Sequence, residues 1–324
     1  MKYRVVIVAC LFLLLSAFPA LSRAQDGTPV PTPTDDPYAD LTIESLLARS
    51  YGAGTLQVHQ VMETRPGFTR YLISYPSDDL TIYGFMNVPD MAGPFPVIVA
   101  IHGYIEPSIY ATLDYTTHYA DELARAGFLV LHPNLRGYWP SDSGPNMFRV
   151  GMAVDILNLI ALVRAWGGQP GALEQADPDA IGLWGHSMGG GISLRTIAVD
   201  GGVDAAVLYG AMSGDERRNF EMIMQWSSGS RGRAELGIPD DALQRISPVH
   251  YLDRIEAAVS IHHGAADELV PPEWSQELCE QLWALGKTVE CFSYEGQPHT
   301  FYGDGDRLFI QRTIAFFNVW LRQP

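Results

Sequence analysis

The chain has 324 residues, 47% of them hydrophobic, and carries 37 acidic against 21 basic side chains for a formal net charge of −16. That supplies apolar material for one full α/β core, and its negative charge excludes nucleic acid and anionic lipid surfaces as partners. The acidity selects no substrate by itself, since a solvated acidic surface accounts for it.

The first 24 residues read as an export signal. Met1-Lys2-Tyr3-Arg4 is a short positive segment, Val5 to Phe18 is apolar, and Ser22-Arg23-Ala24 is a small-x-small pattern that places cleavage after Ala24. The apolar run is shorter than the ~20 residues of a spanning helix; the alternative is retention as an anchor at the cell surface. Cys10 interrupts the run instead of ending it, so lipidation is discounted. Removing the segment takes away Lys2, Arg4 and Arg23 and no acid, leaving 18 basic against 37 acidic residues, or −19. Residues 25–40 are rich in Pro and Thr and predict an extended tether. The remainder, 41–324, predicts one globular domain in a secreted or extracytoplasmic protein.

Eight strands are predicted in chain order: Arg70–Tyr75, Thr81–Val88, Val97–Ile101, Phe128–His132, Ala180–Trp184, Ala205–Tyr209, Val259–His263 and Val289–Tyr294. Helices are predicted over Tyr115–Ala126, Gly151–Trp166, Met188–Val199, Glu273–Leu285 and Arg307–Leu321. Strands alternating with helices imply a mostly parallel sheet with right-handed crossovers. The first two strands, joined by a short turn at Ser77-Asp78-Asp79, start antiparallel.

Chemistry-bearing residues fall where these strands end. After Val97–Ile101, the turn His102-Gly103-Tyr104 offers a backbone amide at Tyr104 or, alternatively, the Tyr104 hydroxyl; His102 reads as a structural residue beneath the turn. Tyr138 and Trp139, after Arg136-Gly137, are candidate pocket-lining aromatics. Gly185-His186-Ser187-Met188-Gly189 lies between an apolar strand and a helix, the setting of a strained turn that exposes a serine. Small residues on either side of that serine avoid clashes, and the helix start lends positive potential to an oxyanion.

Residues 212–247 separate two strands. With Phe220, Met222, Met224 and Trp226 they read as a small helical cap bringing Trp226 to the substrate, or as a helix merely packed on the domain. A nucleophile needs a base, and the base an orienting acid. Four histidines follow the serine: His250, His262, His263 and His299. His262 and His263 end a strand and position the turn holding Asp267. His299 sits in a Gly/Pro loop ahead of the last helix, free to reach a serine at the sheet edge. The assignment is Ser187, Asp267 and His299. Cys279 and Cys291, on a helix and the strand after it, form either a disulfide or two buried thiols; no further ligands accompany them for zinc.

These motifs resemble the α/β-hydrolase superfamily, nearest to its prolyl-oligopeptidase-like (S9-type) and dienelactone-hydrolase-like branches. Ile101-His102-Gly103-Tyr104, Asn134-Leu135-Arg136-Gly137-Tyr138, Gly185 to Gly190, His263 to Pro271 and Pro298-His299-Thr300-Phe301 carry the likeness, in the family's order over about residues 70 to 322. The resemblance implies an α/β-hydrolase fold in which Ser187 attacks a carbonyl, His299 moves the proton and Asp267 holds the imidazole. It also implies an oxyanion hole at the Met188 and Tyr104 amides. Typical dienelactone hydrolases use cysteine where this chain has Ser187, and the chain has no length for the β-propeller of some S9 peptidases. The expected activity is ester hydrolysis through an acyl-enzyme, without metal or organic cofactor. The alternatives are a peptidase on short peptides and an inactive binding scaffold; Glu106, Asp142 and Glu216 are carboxylates to which the sequence assigns no amine-binding role.

Overall fold

A nine-stranded sheet runs through the computed structural model, which describes residues 36–322. The predicted signal (1–24) and most of the tether lie outside the described residues. The tether's end is already folded, as a 3-10 turn at Ala39–Leu41. Helix α1, Ile43–Ala48, follows, its first turn capped by Thr42 Oγ1 accepting from the Ser45 amide at 3.1 Å.

The strands are β1 Gln57–Arg65, β2 Phe68–Ser77, β3 Leu80–Pro89, β4 Phe95–Ile101, β5 Leu129–Pro133, β6 Ala176–His186, β7 Ala205–Tyr209, β8 Ala258–Gly264 and β9 Val289–Tyr294. They are ordered β1-β2-β3-β5-β4-β6-β7-β8-β9. The pairs from β1 to β5 are antiparallel, and every pair from β5 through β9 is parallel. The sheet has one strand more than the eight expected. β1 escapes notice in the sequence because it is an edge strand, exposed along most of its length, and its polar residues show no apolar alternation.

Helices cover both faces, which is why the central strands read as unbroken apolar runs. In β4, Val97, Val99 and Ile101 pack with α3 (Val150–Trp166) and α4 (Met188–Val199). The alternating Ile98 and Ala100 pack instead with α2 (Thr117–Arg125) and α8 (Gly303–Leu321). α5 (Glu216–Trp226) and α6 (Asp240–Ile246) lie in the predicted insertion, and α7 (Pro272–Ala284) follows β8. The Cys279 sulfur on α7 is bonded to Cys291 on β9. Among the described residues no helix is long and apolar enough to cross a membrane.

Candidate active site

Ser187 stands between β6 and α4 at φ 56° and ψ −115°, a conformation costly for a side chain and therefore held by its surroundings. Its amide donates to the Tyr209 carbonyl at 2.8 Å, and its carbonyl accepts from the Met212 and Gly190 amides at 3.0 Å each. The flanking glycines are steric requirements. A Cβ on Gly185 would lie 2.3 Å from the Gly189 carbonyl oxygen, and one on Gly189 would lie 2.1 Å from that of Ile101.

Asp267 follows β8, with its carboxylate fully occupied. Oδ1 accepts from the Leu269 and Val270 amides at 2.8 and 3.0 Å. Oδ2 faces His299 Nδ1 at 2.7 Å and His263 Nε2 at 3.0 Å. Burial alone would raise its pKa, but the hydrogen bonds from His263 and His299 outweigh burial and hold the carboxyl well below the usual range. His263 Nε2 also meets the Val270 carbonyl at 3.1 Å, so that nitrogen carries the proton, and Nδ1 takes the Ser275 hydroxyl at 2.6 Å. His262 points elsewhere, to Ser260 and Tyr294.

The carboxylate fixes the His299 tautomer, because a carboxylate can only accept: Nδ1 holds the proton and Nε2 keeps its lone pair. The ring packs 4.6 Å from that of His186 and against Gly210, next to the Tyr209 carbonyl that holds Ser187. The Ser187 hydroxyl makes no hydrogen bond among the described residues, a looseness common in resting sites.

The Met188 and Tyr104 amides donate to no other group among the described residues. The Tyr104 hydroxyl is engaged, donating to Glu106 Oε2 at 3.0 Å, while Arg231 lies over its ring and Trp226 packs edge-on at 5.5 Å. Of the two ways Tyr104 could serve, the hydroxyl is therefore spent and the amide is open. His102 sits under the turn as expected, fully buried between the carbonyls of Gly103 and Asn134.

The aromatic assignments fare unequally. Tyr138 is 2% exposed and packs edge-on against His102 and Tyr110 at 4.7 and 4.8 Å, so it is a core residue and not a pocket wall. Its neighbour Trp139 is 78% exposed. Trp226, at the end of α5, is half exposed and reaches the site through Tyr104. The insertion thus sends its tip, residues 226–231, onto the Tyr104–Glu106 loop, where Arg231 pairs with Glu106. A separate cleft of about 210 Å³ lies between the start of α5 and α7, lined by Asp215, Arg218, His250, Trp274 and Glu277, and does not include Ser187. Among the described residues no His, Cys, Asp and Glu side chains are grouped to hold a metal. Three neighbours of Ser187, Asp267 and His299 went unnoticed in the sequence: His186, Tyr115 and Ser275. Only His186 had a local signal, as the residue before Ser187.

The family model described as "Dienelactone hydrolase family" matches residues 82–323. A Bacillus subtilis relative named "Uncharacterized peptidase YtmA" is 24% identical over 248 residues, covering 75% of this chain and 90% of its own length. Among solved structures, the acetyl xylan esterase from Paenibacillus sp. R4 has a TM-score of 0.64 at 18% identity, covering 86% of this chain and 92% of that one. A Pyrococcus horikoshii acylaminoacyl peptidase has a TM-score of 0.61 at 20% identity, covering 80% of this chain and 42% of the peptidase. At these identities the two structures speak for the fold.

Proposed function

The chain belongs to the dienelactone hydrolase family, and from that premise we propose that it is an exported serine hydrolase cleaving carboxylic esters through an acyl-enzyme on Ser187. The carrying observation is the Asp267–His299 pair at 2.7 Å beside a serine raised on a positive-φ turn. His299 Nε2 takes the hydroxyl proton as Ser187 attacks the carbonyl carbon. The tetrahedral oxyanion is received by the Met188 and Tyr104 amides, each donor worth roughly 10²–10³ in rate. The protonated His299 then gives its proton to the leaving alkoxide, and water hydrolyses the acyl-enzyme with His299 again as base. The signal-like residues 1–24 and the Cys279–Cys291 bond support export.

The peptidase reading has support in the Bacillus subtilis relative's name. Against it stands the charge around the site, since recognition of a peptide's amine calls for an uncompensated carboxylate. Glu216 is buried between Arg149 and Arg195, Glu106 pairs with Arg231, and Asp142 accepts from the Thr81 amide. The test compares a short-chain p-nitrophenyl ester with an aminoacyl p-nitroanilide, using the wild type and Ser187→Ala. Ester turnover lost in the variant, with the anilide untouched, is expected. Rapid anilide cleavage would establish the peptidase instead. Failure of a fluorophosphonate to label Ser187 would leave the inactive scaffold.

A further inference from the structure

We propose that Tyr115 and His186 are positioning residues: a hydrogen-bonded brace that fixes the turn bearing the Tyr104 amide relative to the loop bearing His299. The inference rests on the reading of Ser187, His299 and the Tyr104 amide given above. Three contacts form one line across the site. The Gly103 amide meets the Tyr115 hydroxyl at 3.1 Å, that hydroxyl meets His186 Nδ1 at 2.7 Å, and His186 Nε2 meets the His299 carbonyl at 2.9 Å.

The direction of each bond is forced. A peptide amide only donates and a carbonyl only accepts. His186 Nε2 must therefore carry the proton, Nδ1 must accept, and Tyr115 must give its hydrogen to Nδ1 while accepting from Gly103. Both ends allow a single arrangement, and it needs a neutral imidazole. Burial provides one, pushing His186 down from 6.5 to about 3.

The packing leaves this line no slack. A Cβ on Gly103 would lie 2.4 Å from the Tyr115 hydroxyl, 3.1 Å from Ser187 Cβ and 3.3 Å from His186 Nδ1. Oxyanion turn, nucleophile and brace therefore converge on one α-carbon. The His186 ring also packs between Tyr209 at 4.3 Å and His299 at 4.6 Å. Because Tyr115 occupies the Gly103 amide, the next amide, that of Tyr104, is the one left for the oxyanion. None of these bonds is made to the reacting atoms, so the brace acts by placement. Misplacing a catalytic group by ~1 Å costs on the order of 10² in rate; one lost link that leaves packing intact is expected to cost about tenfold.

The test is the second-order rate of Ser187 phosphonylation by a fluorophosphonate, which uses the same nucleophile, base and amides whatever the natural substrate. Tyr115→Phe removes the link to Gly103. His186→Gln keeps a donor toward His299 and loses the acceptor for Tyr115, while His186→Asn keeps that acceptor and loses the donor. Each single variant should react about tenfold more slowly with little change in melting temperature. The doubles separate a brace from mere packing. Tyr115→Phe adds little to His186→Gln, because both break the same half, but adds its full effect to His186→Asn. The acid limb of the rate–pH profile should move in His186→Asn, where the His299 loop is released, and stay in Tyr115→Phe. Wild-type rates in folded Tyr115→Phe, or equal additivity in both doubles, would overturn the brace. No labelling of Ser187 in the wild type would overturn the catalytic reading and the brace with it.

Discussion

Acid should unfold this protein through three histidines before its carboxylates matter. His132, His186 and His262 are at most 1% exposed, and burial pushes each from 6.5 down to about 3. Their hydrogen-bond partners among the described residues are the hydroxyls of Thr116, Tyr115, Ser260 and Tyr294 and the His299 carbonyl. Each ring is neutral in the folded protein while the same residue in the unfolded chain takes up a proton below about pH 6.5. Stability is therefore complete above that pH and is lost as the pH falls toward 3. Each histidine costs about 1.4 kcal/mol per pH unit in that window, so by about pH 5 the three together remove about 6 kcal/mol. A typical domain has only about 5–15 kcal/mol to lose. Urea unfolding followed by tryptophan fluorescence, at pH values from about 7.5 down to about 5, measures the slope. It should reach three protons taken up on unfolding or more, since burial also lowers His102, and His262→Asn should remove one of them whatever its effect on absolute stability. A stability that stays flat between about pH 6.5 and 5, or an unchanged slope in the variant, would refute the reasoning.

Reducing the Cys279–Cys291 bond, which closes a separation of 12 residues, should cost roughly 3 kcal/mol and lower the melting temperature by about 5–10 °C. An unchanged melt after thiol titration has counted two free sulfhydryls would contradict this. Gly189→Ala places a Cβ 2.1 Å from the Ile101 carbonyl oxygen and should destabilise by about 3 kcal/mol or more, so a normal urea midpoint would rule out the steric account of that glycine. Asp155 is fully buried and accepts from Arg136 Nη2 at 2.8 Å and Ser77 Oγ at 2.6 Å. Asp155→Ala strands the Arg136 charge, and calorimetry should show a loss of about 3–5 kcal/mol; a loss below about 1 kcal/mol would mean that water reaches the guanidinium.

What the sequence revealed about the site depended on how local each signal was. The turn at Ser187 was legible because its steric demands fall within five consecutive residues; the buried runs Met188–Val199 and Ala205–Tyr209 kept their predicted bounds, while the strand leading into the turn, expected at Ala180–Trp184, extends over Ala176–His186. Tyr138 and Trp139 show the opposite case. They are adjacent, aromatic and indistinguishable by composition, yet one is 2% and the other 78% exposed. Only the path of the chain after β5 decides which turns inward. Tyr115 was invisible for a related reason: its partner His186 is 71 residues away, and nothing near position 115 marks a hydroxyl that will be shared. β1 was lost because an edge strand needs no apolar alternation.

Asp267 gives the site an order of failure on acidification. Its carboxylate takes four donors, two amides on Oδ1 and two imidazoles on Oδ2, and these hold its pKa below the usual range in spite of burial. A depressed carboxyl contributes stability that is present above its unfolded value, near pH 3.9, and lost only as the pH falls through the folded one. The window of the three buried histidines opens near pH 6.5 and so comes first. Asp267 is therefore still ionised, and still orienting His299, when the core around His132, His186 and His262 gives way. The ionised Asp267 thus outlasts the scaffold, which burial of the three imidazoles makes acid-labile. Protonation of Asp267 therefore belongs to the unfolded chain.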